Sequence, residues 1–237
     1  MSYTLEICAN SVQSAQAAQA GRASRIELCQ NLEQGGITPS YGLIRRVRAL
    51  LQIQVFVLIR PRPGNFVYDV DEFALMQTDV LACRELGCDG VVLGLLDDAG
   101  RVDVARCQEL IALAQPMAVT FHRAFDVCQD QTAALEEIIA LGCQRVLTSG
   151  GAVSAEAGQQ QLAALVSQAA GRISIMPGAG INSGNLLLLA AATGATEFHA
   201  SAKKLTPLPP QPNEFDAAHW QTDAGLVREL VALVQQG

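Results

Sequence analysis

Short apolar runs of β-strand composition alternate along this chain with longer segments that have helical spacing. Eight such runs occur, at 4–8, 25–29, 54–60, 90–95, 118–122, 145–149, 173–176 and 197–201. Helical patterns follow them, at 12–20, 41–50, 72–86, 104–114, 132–141, 155–170, 183–193 and 223–234. The pattern therefore predicts parallel strands joined by crossover helices, repeated eight times.

Eight strand and helix units favour a closed barrel over an open sheet. Gly87, Gly142 and Gly194 each follow a helical pattern where a left-handed C-terminal cap belongs. The first strand is followed by Ala-Asn-Ser and not by a Gly-rich turn, which disfavours an open dinucleotide-binding sheet. We predict an α/β protein, a single (β/α)8 TIM-barrel domain over residues 1–237, with 203–222 a Pro-rich loop before the last helix. Trp220, the only tryptophan, lies just beyond the Pro-rich stretch 206–213 and could cover the barrel mouth or a subunit contact.

A repeated tetrapeptide in the first two strands carries the main chemical signal. Leu5-Glu6-Ile7-Cys8 and Ile26-Glu27-Leu28-Cys29 each place a carboxylate and a thiol two residues apart. Side chains alternate between the two faces of a strand, so the acid and the thiol share one face. A buried carboxylate is costly without a partner, which indicates a site. If the two strands are neighbours, all four groups converge.

Further polar residues close the other strands, where the active sites of barrels gather. For an enzyme, we predict that Glu6, Glu27 or His122 moves a proton, with a raised pKa for whichever carboxyl acts as base. The predicted anion-binding groups are Arg60, Arg62, Arg123, Ser149, Gly178, Gly180, His199 and Ser201. A metal site of His122, His199 and Glu27 is a further alternative.

Structural roles for the same residues stay open. Glu6 and Glu27 could pair with Arg60 and Arg62 as a buried ionic layer. His122 could be a core histidine with one backbone hydrogen bond, and Arg123 could tether the next loop through Asp126.

Composition limits the possible partners. A net charge of −7 disfavours nucleic acid and anionic membrane surfaces as partners. No charged-then-apolar leader and no apolar run near 18 residues occur, so we expect a cytoplasmic protein without a membrane span. The seven cysteines include no CxxC pair, and we expect them to be reduced thiols.

Seven motifs occur in order along the chain: LEIC, RIELC followed by GGITPS, IRPRPGNFVY, VTFHRAFD, RVLTSGG, PGAGI and EFHASA. Together they resemble the CutC family from residue 4 to about residue 202. The resemblance implies a cytoplasmic TIM barrel, a homo-oligomer, and a role in copper tolerance or trafficking through Cu(I), without an organic cofactor. It places the copper ligands on Cys8 and Cys29, whose soft thiolates suit Cu(I).

Two hypotheses remain. The chain is a Cu(I)-binding protein whose partner is the copper ion, with Glu6 and Glu27 as nearby support. Alternatively, it is a TIM-barrel enzyme that acts on a small phosphorylated or carboxylated metabolite by acid/base chemistry.

Overall fold

The computed structural model describes residues 3–208, 211, 213–214 and 218–236. The barrel strands are Thr4–Ala9 (β1), Arg25–Leu28 (β2), Gln54–Leu58 (β3), Gly90–Leu93 (β4), Ala118–Phe121 (β5), Arg145–Thr148 (β6), Ser174–Pro177 (β7) and Glu197–Ala200 (β8). The helices are Val12–Ala20 (α1), Tyr41–Leu50 (α2), Val70–Glu85 (α3), Val104–Ala114 (α4), Gln131–Ala140 (α5), Gln159–Ala169 (α6), Leu186–Thr193 (α7) and Ala224–Gln236 (α8). Two short 3-10 helices lie at Leu32–Gln34 and Arg123–Val127.

The eight strands form one parallel sheet that curls into a nearly closed barrel. Their order is β7-β6-β5-β4-β3-β2-β1-β8, and β7 lies against β8. This confirms the predicted (β/α)8 architecture. Because the carboxyl ends of all eight strands meet at one end of the barrel, that end is where converging side chains form a site.

Local sequence signals set the helix ends. Ser11, Ser40 and Asp69 cap the starts of α1, α2 and α3 with side-chain oxygens. The three glycines predicted to end helices have φ values of +73° to +82°, which is the left-handed conformation required there. The helices predicted at 155–170 and 183–193 begin later, at Gln159 and Leu186, because turns precede both.

The segment predicted as a loop at 203–222 is a β-hairpin at its two ends. Lys203–Leu205 (β9) pairs antiparallel with Trp220–Thr222 (β10), so the loop prediction is wrong there. The hairpin is fixed to the barrel because Thr222 Oγ1 donates to the carbonyl of Cys8. Residues 209, 210, 212 and 215–217 of the predicted loop lie outside the described residues.

The strands separate an apolar outer core from a polar barrel interior. Outward-facing residues of β1 and β2, such as Leu5, Ile7 and Ile26, belong to the large core between barrel and helices. Inside the barrel a small apolar cluster contains Cys8, Cys29, Phe56, Leu58 and Val92. The predicted alternation of faces is therefore confirmed. Within the part of the chain that is described, no helix has the length and apolar character needed to span a bilayer.

Candidate functional site at the barrel mouth

Two thiols meet at the carboxyl ends of β1 and β2. β1 and β2 are parallel neighbours, with Cys8 beside Glu27 in the register and Cys29 just beyond the end of β2. The sulfurs of Cys8 and Cys29 are 3.4 Å apart, and both residues are buried. The hydrogen bond between the thiols and their burial raise the pKa of Cys8 well above its usual range. The predicted approach of the sulfurs is confirmed.

His199 connects the two carboxylates of the repeat. Its Nδ1 lies 2.7 Å from Oε1 of Glu6, and its Nε2 lies 3.7 Å from Oε2 of Glu27. Ligand atoms of Cys8, Glu27 and His199 all lie within 4.8 Å of one another. Among the described residues, these three form the group of at least three His, Cys, Asp or Glu side chains close enough to hold a metal ion. His122 is not part of this group. The predicted metal site of His122, His199 and Glu27 is therefore wrong in its first member.

The pKa values of the carboxyl groups of Glu6 and Glu27 are shifted in opposite directions because their surroundings differ. Burial alone raises the pKa of Glu6, but the charge of Arg25 and the hydrogen bond from His199 outweigh it and hold that pKa at about 2. Burial raises the pKa of Glu27, although the charge of His199 opposes it. Burial lowers the pKa of His199, but hydrogen bonds with Cys8 and Glu6 and the charge of Glu27 raise it well above its usual range. Glu6 is thus held as a carboxylate, and its low pKa does not support the general-base role predicted for it, whereas the pKa of Glu27 is shifted in the direction expected of such a base.

A buried ionic layer lies below the site. Arg25 forms ion pairs with both Glu6 and Glu197, and Arg145 Nε lies 3.2 Å from Glu197. The guanidinium groups of Arg25 and Arg145 stack over the ring of Phe56, at 5.3 and 5.0 Å from its centroid. This layer replaces part of the apolar packing usual inside such barrels.

Arg60 and Arg62 do not pair with Glu6 and Glu27, so the predicted ionic layer had the wrong arginines. Arg60 donates to the carbonyls of Gln34, Gly36 and Gly64 and holds two mouth loops together. Arg62 forms an ion pair with Glu72 and lies outside the cavity, which does not support its predicted anion-binding role. Arg25 forms the ion pair with Glu6 instead because it faces the barrel interior on β2 and lies beside Glu6 in the strand register, closer than either Arg60 or Arg62.

A cavity of about 530 Å³ opens above the thiols, a size typical of small-molecule sites. Predicted site residues in its wall are Cys8, Glu27, Cys29, Arg60, His122, Arg123, Gly180, His199 and Ser201. Three further predicted residues, Glu6, Ser149 and Gly178, do not line the cavity.

His122 contributes a neutral imidazole to the wall. Its Nδ1 accepts from the backbone N–H of Ala124, which matches the predicted single backbone bond and leaves the proton on Nε2. Burial and the charge of Arg60 lower the pKa of His122 to about 3. Nε2 is buried without a hydrogen-bond partner in the described structure.

Arg123 and Ser149 converge on Asp126. Arg123 Nε lies 2.7 Å from Asp126 Oδ2, which confirms the predicted tether. Asp126 also accepts from the hydroxyls of Thr148 and Ser149 and from the N–H groups of Ser149 and Gly151. This carboxylate fixes the loop after β6, so Ser149 has a structural partner there.

Sequence reasoning missed four residues of the site, namely Arg25, Arg145, Glu197 and Lys203. Each of the first three begins its strand, two residues before an inward-facing residue of the same strand (Glu27, Leu147 and His199). The alternation of strand faces therefore already indicated that these three side chains point into the barrel. Lys203 lines the cavity from β9, and its Nζ lies 4.6 Å from the ring centroid of Trp220. It was missed because its segment was interpreted as a loop.

Comparison with known proteins identifies relatives of this fold and sequence. The sequence profile of the CutC family matches residues 3–204. A CutC family protein of Xylella fastidiosa (strain Temecula1) is 52% identical over 242 residues, which cover 100% of this chain and 91% of that protein. A CutC family protein of Chromobacterium violaceum is 56% identical over 203 residues, covering 86% of this chain and 82% of that protein.

Solved structures show the same relationship to CutC proteins. CutC from Streptococcus agalactiae, a protein named for copper homeostasis, superposes with a TM-score of 0.80 at 36% identity, over 83% of this chain and 97% of that one. Thiamine phosphate pyrophosphorylase from Pyrococcus furiosus shares only the fold, with a TM-score of 0.62 and 16% identity over 99% of this chain and 96% of that one. The profile match and the identity over nearly the whole chain show that this protein belongs to the CutC family.

Proposed function

We propose that the barrel mouth binds a thiophilic metal ion, Cu(I) above all, through Cys8 and Cys29 with His199 as a third donor. The observation that carries this proposal is the 3.4 Å separation of the Cys8 and Cys29 sulfurs, both buried, with a ring nitrogen of His199 within 4.8 Å of the Cys8 sulfur. Thiolates and imidazole are the ligands that Cu(I) and Zn²⁺ prefer, so the donor set fits such an ion. The family name of the Streptococcus agalactiae relative supports copper as the cargo.

The surroundings of His199 suit metal binding. Glu6 accepts from Nδ1 and thereby leaves Nε2 directed toward Cys8 and Glu27. A carboxylate behind a histidine is the usual arrangement in metal sites, because it fixes the tautomer and increases the basicity of the ligand. Binding would displace protons from both thiols and from His199, so affinity should rise with pH.

The test is a Cu(I) titration under reducing conditions against a competing chelator. We expect wild type to bind one equivalent and the variant C8S/C29S to lose about two orders of magnitude or more in affinity. The matched control is C83S/C88S, which removes another buried cysteine pair, away from the mouth. Equal Cu(I) affinity in wild type and C8S/C29S would contradict the assignment of these two thiols as copper ligands.

The substitution His199→Asn tests whether His199 Nε2 is the third metal donor. Asparagine keeps an amide that can bond Glu6 but removes Nε2. We expect about a tenfold loss of Cu(I) affinity, with a lower melting temperature because the buried Glu6 loses the charge of His199 but keeps its ion pair with Arg25. An unchanged affinity would restrict the site to the two sulfurs.

The cavity favours a second candidate, an enzyme that uses acid/base chemistry on a small anionic metabolite. A metal ion alone does not require about 530 Å³ of space lined by Arg60, Arg123 and Lys203. Glu27 faces that space with a raised pKa beside His199, so the pair could take and return a proton.

A thermal-shift screen of phosphorylated and carboxylated metabolites tests this candidate, with Glu27→Gln as the partner variant. We expect a hit that stabilises both proteins and is converted only by wild type. No hit in a broad panel would argue against the enzyme. A homo-oligomeric state and a cytoplasmic location stay predictions of the resemblance.

A further inference from the structure

Two cations of the cavity wall, Arg60 and Lys203, form no ion pair with a carboxylate of the described residues. Arg60 is only 6% exposed, yet it bonds carbonyl oxygens and stacks 5.0 Å from the Phe66 ring centroid, without an ion pair in the described part of the chain. Lys203 likewise has no ion pair there, whereas its neighbour Lys204 pairs with Asp223. A buried cation without a counter-ion is costly, as for Arg60, and the half-buried Lys203 adds a second positive charge, so the two groups favour an anion in the space that they line.

Hydrogen-bond donors are concentrated on one side of the same cavity. Ala179 and Gly180 have φ values of +71° and +87°, two successive left-handed residues in the turn after β7. In the described structure, the N–H groups of Ala179, Gly180 and Ile181 donate to no acceptor, and the hydroxyl of Ser201 is also unbonded. Successive unbonded N–H groups in such a turn form a concavity suited to an anion.

The strained backbone at Ala179 is held by its surroundings. Its carbonyl accepts from the N–H of Ala155 at 2.9 Å, and Asn185 Nδ2 donates to the carbonyl of Gly180 at 2.9 Å. Directly before it, a side chain at Gly178 would overlap Leu147, since an added Cβ would lie 2.5 Å from Leu147 Cδ1. The carbonyls are thus bonded into the body of the protein while the N–H groups are left unbonded.

We propose that the cavity binds a small phosphorylated metabolite, with the phosphoryl group on the N–H groups of Gly180 and Ile181, the Ser201 hydroxyl and Lys203. Donors from two loops suit the three terminal oxygens of a phosphoryl group better than the two of a carboxylate. This inference rests on the second candidate function and names its substrate class. The remaining part of the cavity reaches Glu27 and His199, where the organic portion of the ligand would meet the groups that can move a proton.

The test measures binding of inorganic phosphate to the metal-free, reduced, full-length protein by isothermal titration calorimetry. We expect saturable binding in wild type, about tenfold weaker in Lys203→Gln and several-fold weaker in Ser201→Ala, since charge-assisted hydrogen bonds are lost. Lys204→Gln is the matched control: it removes the same charge from the adjacent residue, whose partner is Asp223, and should leave affinity within about twofold.

The results separate this inference from the others. Melting temperatures show whether each variant folds, and Ser201→Ala provides a second variant outside the hairpin. The titration uses metal-free protein, so a failure of the metal proposal leaves this result intact, and C83S/C88S, whose cysteines do not line the cavity, should keep wild-type phosphate affinity. Absence of saturable phosphate binding, an equal loss in Lys204→Gln, or equal affinity for acetate would overturn the phosphoryl site. Phosphate binding without any converted metabolite would support the site and count against the enzyme alone.

Discussion

Replacement of Arg25 by methionine should strongly destabilise the protein. Arg25 forms ion pairs with Glu6, which is fully buried, and with Glu197. Removing one partner of a buried pair typically costs ~3–5 kcal/mol, because a charge is left without compensation. Glu197 keeps Arg145 and Glu6 keeps His199, so we expect the lower end, ~3 kcal/mol at pH 7.

The low pKa of Glu6, caused in part by the same ion pair with Arg25, makes this effect depend on pH. Burial raises this pKa, but Arg25 and His199 lower it from 4.5 to about 2, which corresponds to ~3 kcal/mol of stability above pH 4.5. Because the folded pKa is below the unfolded one, this stability is present at neutral pH and is lost as the pH falls toward 2. Without Arg25 the folded pKa rises, so wild type and variant should approach each other in acid.

Urea denaturation between pH 7 and pH 3.5 measures both effects. Arg101→Met is the control, because its pair with Asp97 is exposed, and we expect its effect to be within experimental error. The double variant E6Q/R25M removes both charges and should recover part of the lost stability. A loss equal to that of the control, or a gap to wild type that does not narrow in acid, would refute this reasoning.

Three further changes test other parts of the structure. Gly90→Ala places a Cβ 2.2 Å from the ring of Phe56 and should lower the free energy of unfolding, measured with urea, by ~2–3 kcal/mol. The control Gly42→Ala, which lies in open space on α2, should stabilise the protein slightly. Between pH 6.5 and pH 5, wild type should lose ~1.5 kcal/mol more stability than His122→Asn, because burial and the charge of Arg60 hold the pKa of His122 at about 3 while the unfolded chain takes up a proton. An equal loss in the two proteins would contradict this assignment. Asp126→Asn should cost ~2 kcal/mol by thermal or urea unfolding, since one oxygen that accepts several donors becomes a donor itself, and no loss would show that these bonds contribute little.

Much of the fold could be predicted from the sequence because it depends on local periodicity. The parity of Glu6 and Cys8 against Leu5 and Ile7 follows from strand geometry alone, and the barrel follows from eight repeats of one unit. The hairpin at 203–205 and 220–222 could not be predicted, since two three-residue strands separated by a proline-rich stretch have no clear period.

The contacts between site residues were harder to predict than the identity of those residues. The repeat indicated that the acids and thiols of β1 and β2 converge but did not give their register, which places Cys8 beside Glu27 and Cys29 just beyond the end of β2, with the two sulfurs 3.4 Å apart. Register between strands depends on the stagger of the barrel, which no single strand encodes. For the same reason the contact of Glu6 with His199 across β1 and β8 needs the barrel to close.

The buried ionic layer connects stability to chemistry in this barrel. Arg25 keeps Glu6 ionised, and the ionised Glu6 holds the Nδ1 proton of His199. That proton position decides which nitrogen faces Cys8 and Glu27. Both candidate functions need Nε2 in that place, either as a metal ligand or as the partner of Glu27 in proton transfer. The ionic layer is therefore expected to matter beyond folding: a variant such as E6Q/R25M, even if stable, should weaken Cu(I) binding or turnover, because a neutral amide in place of the Glu6 carboxylate no longer raises the basicity of His199.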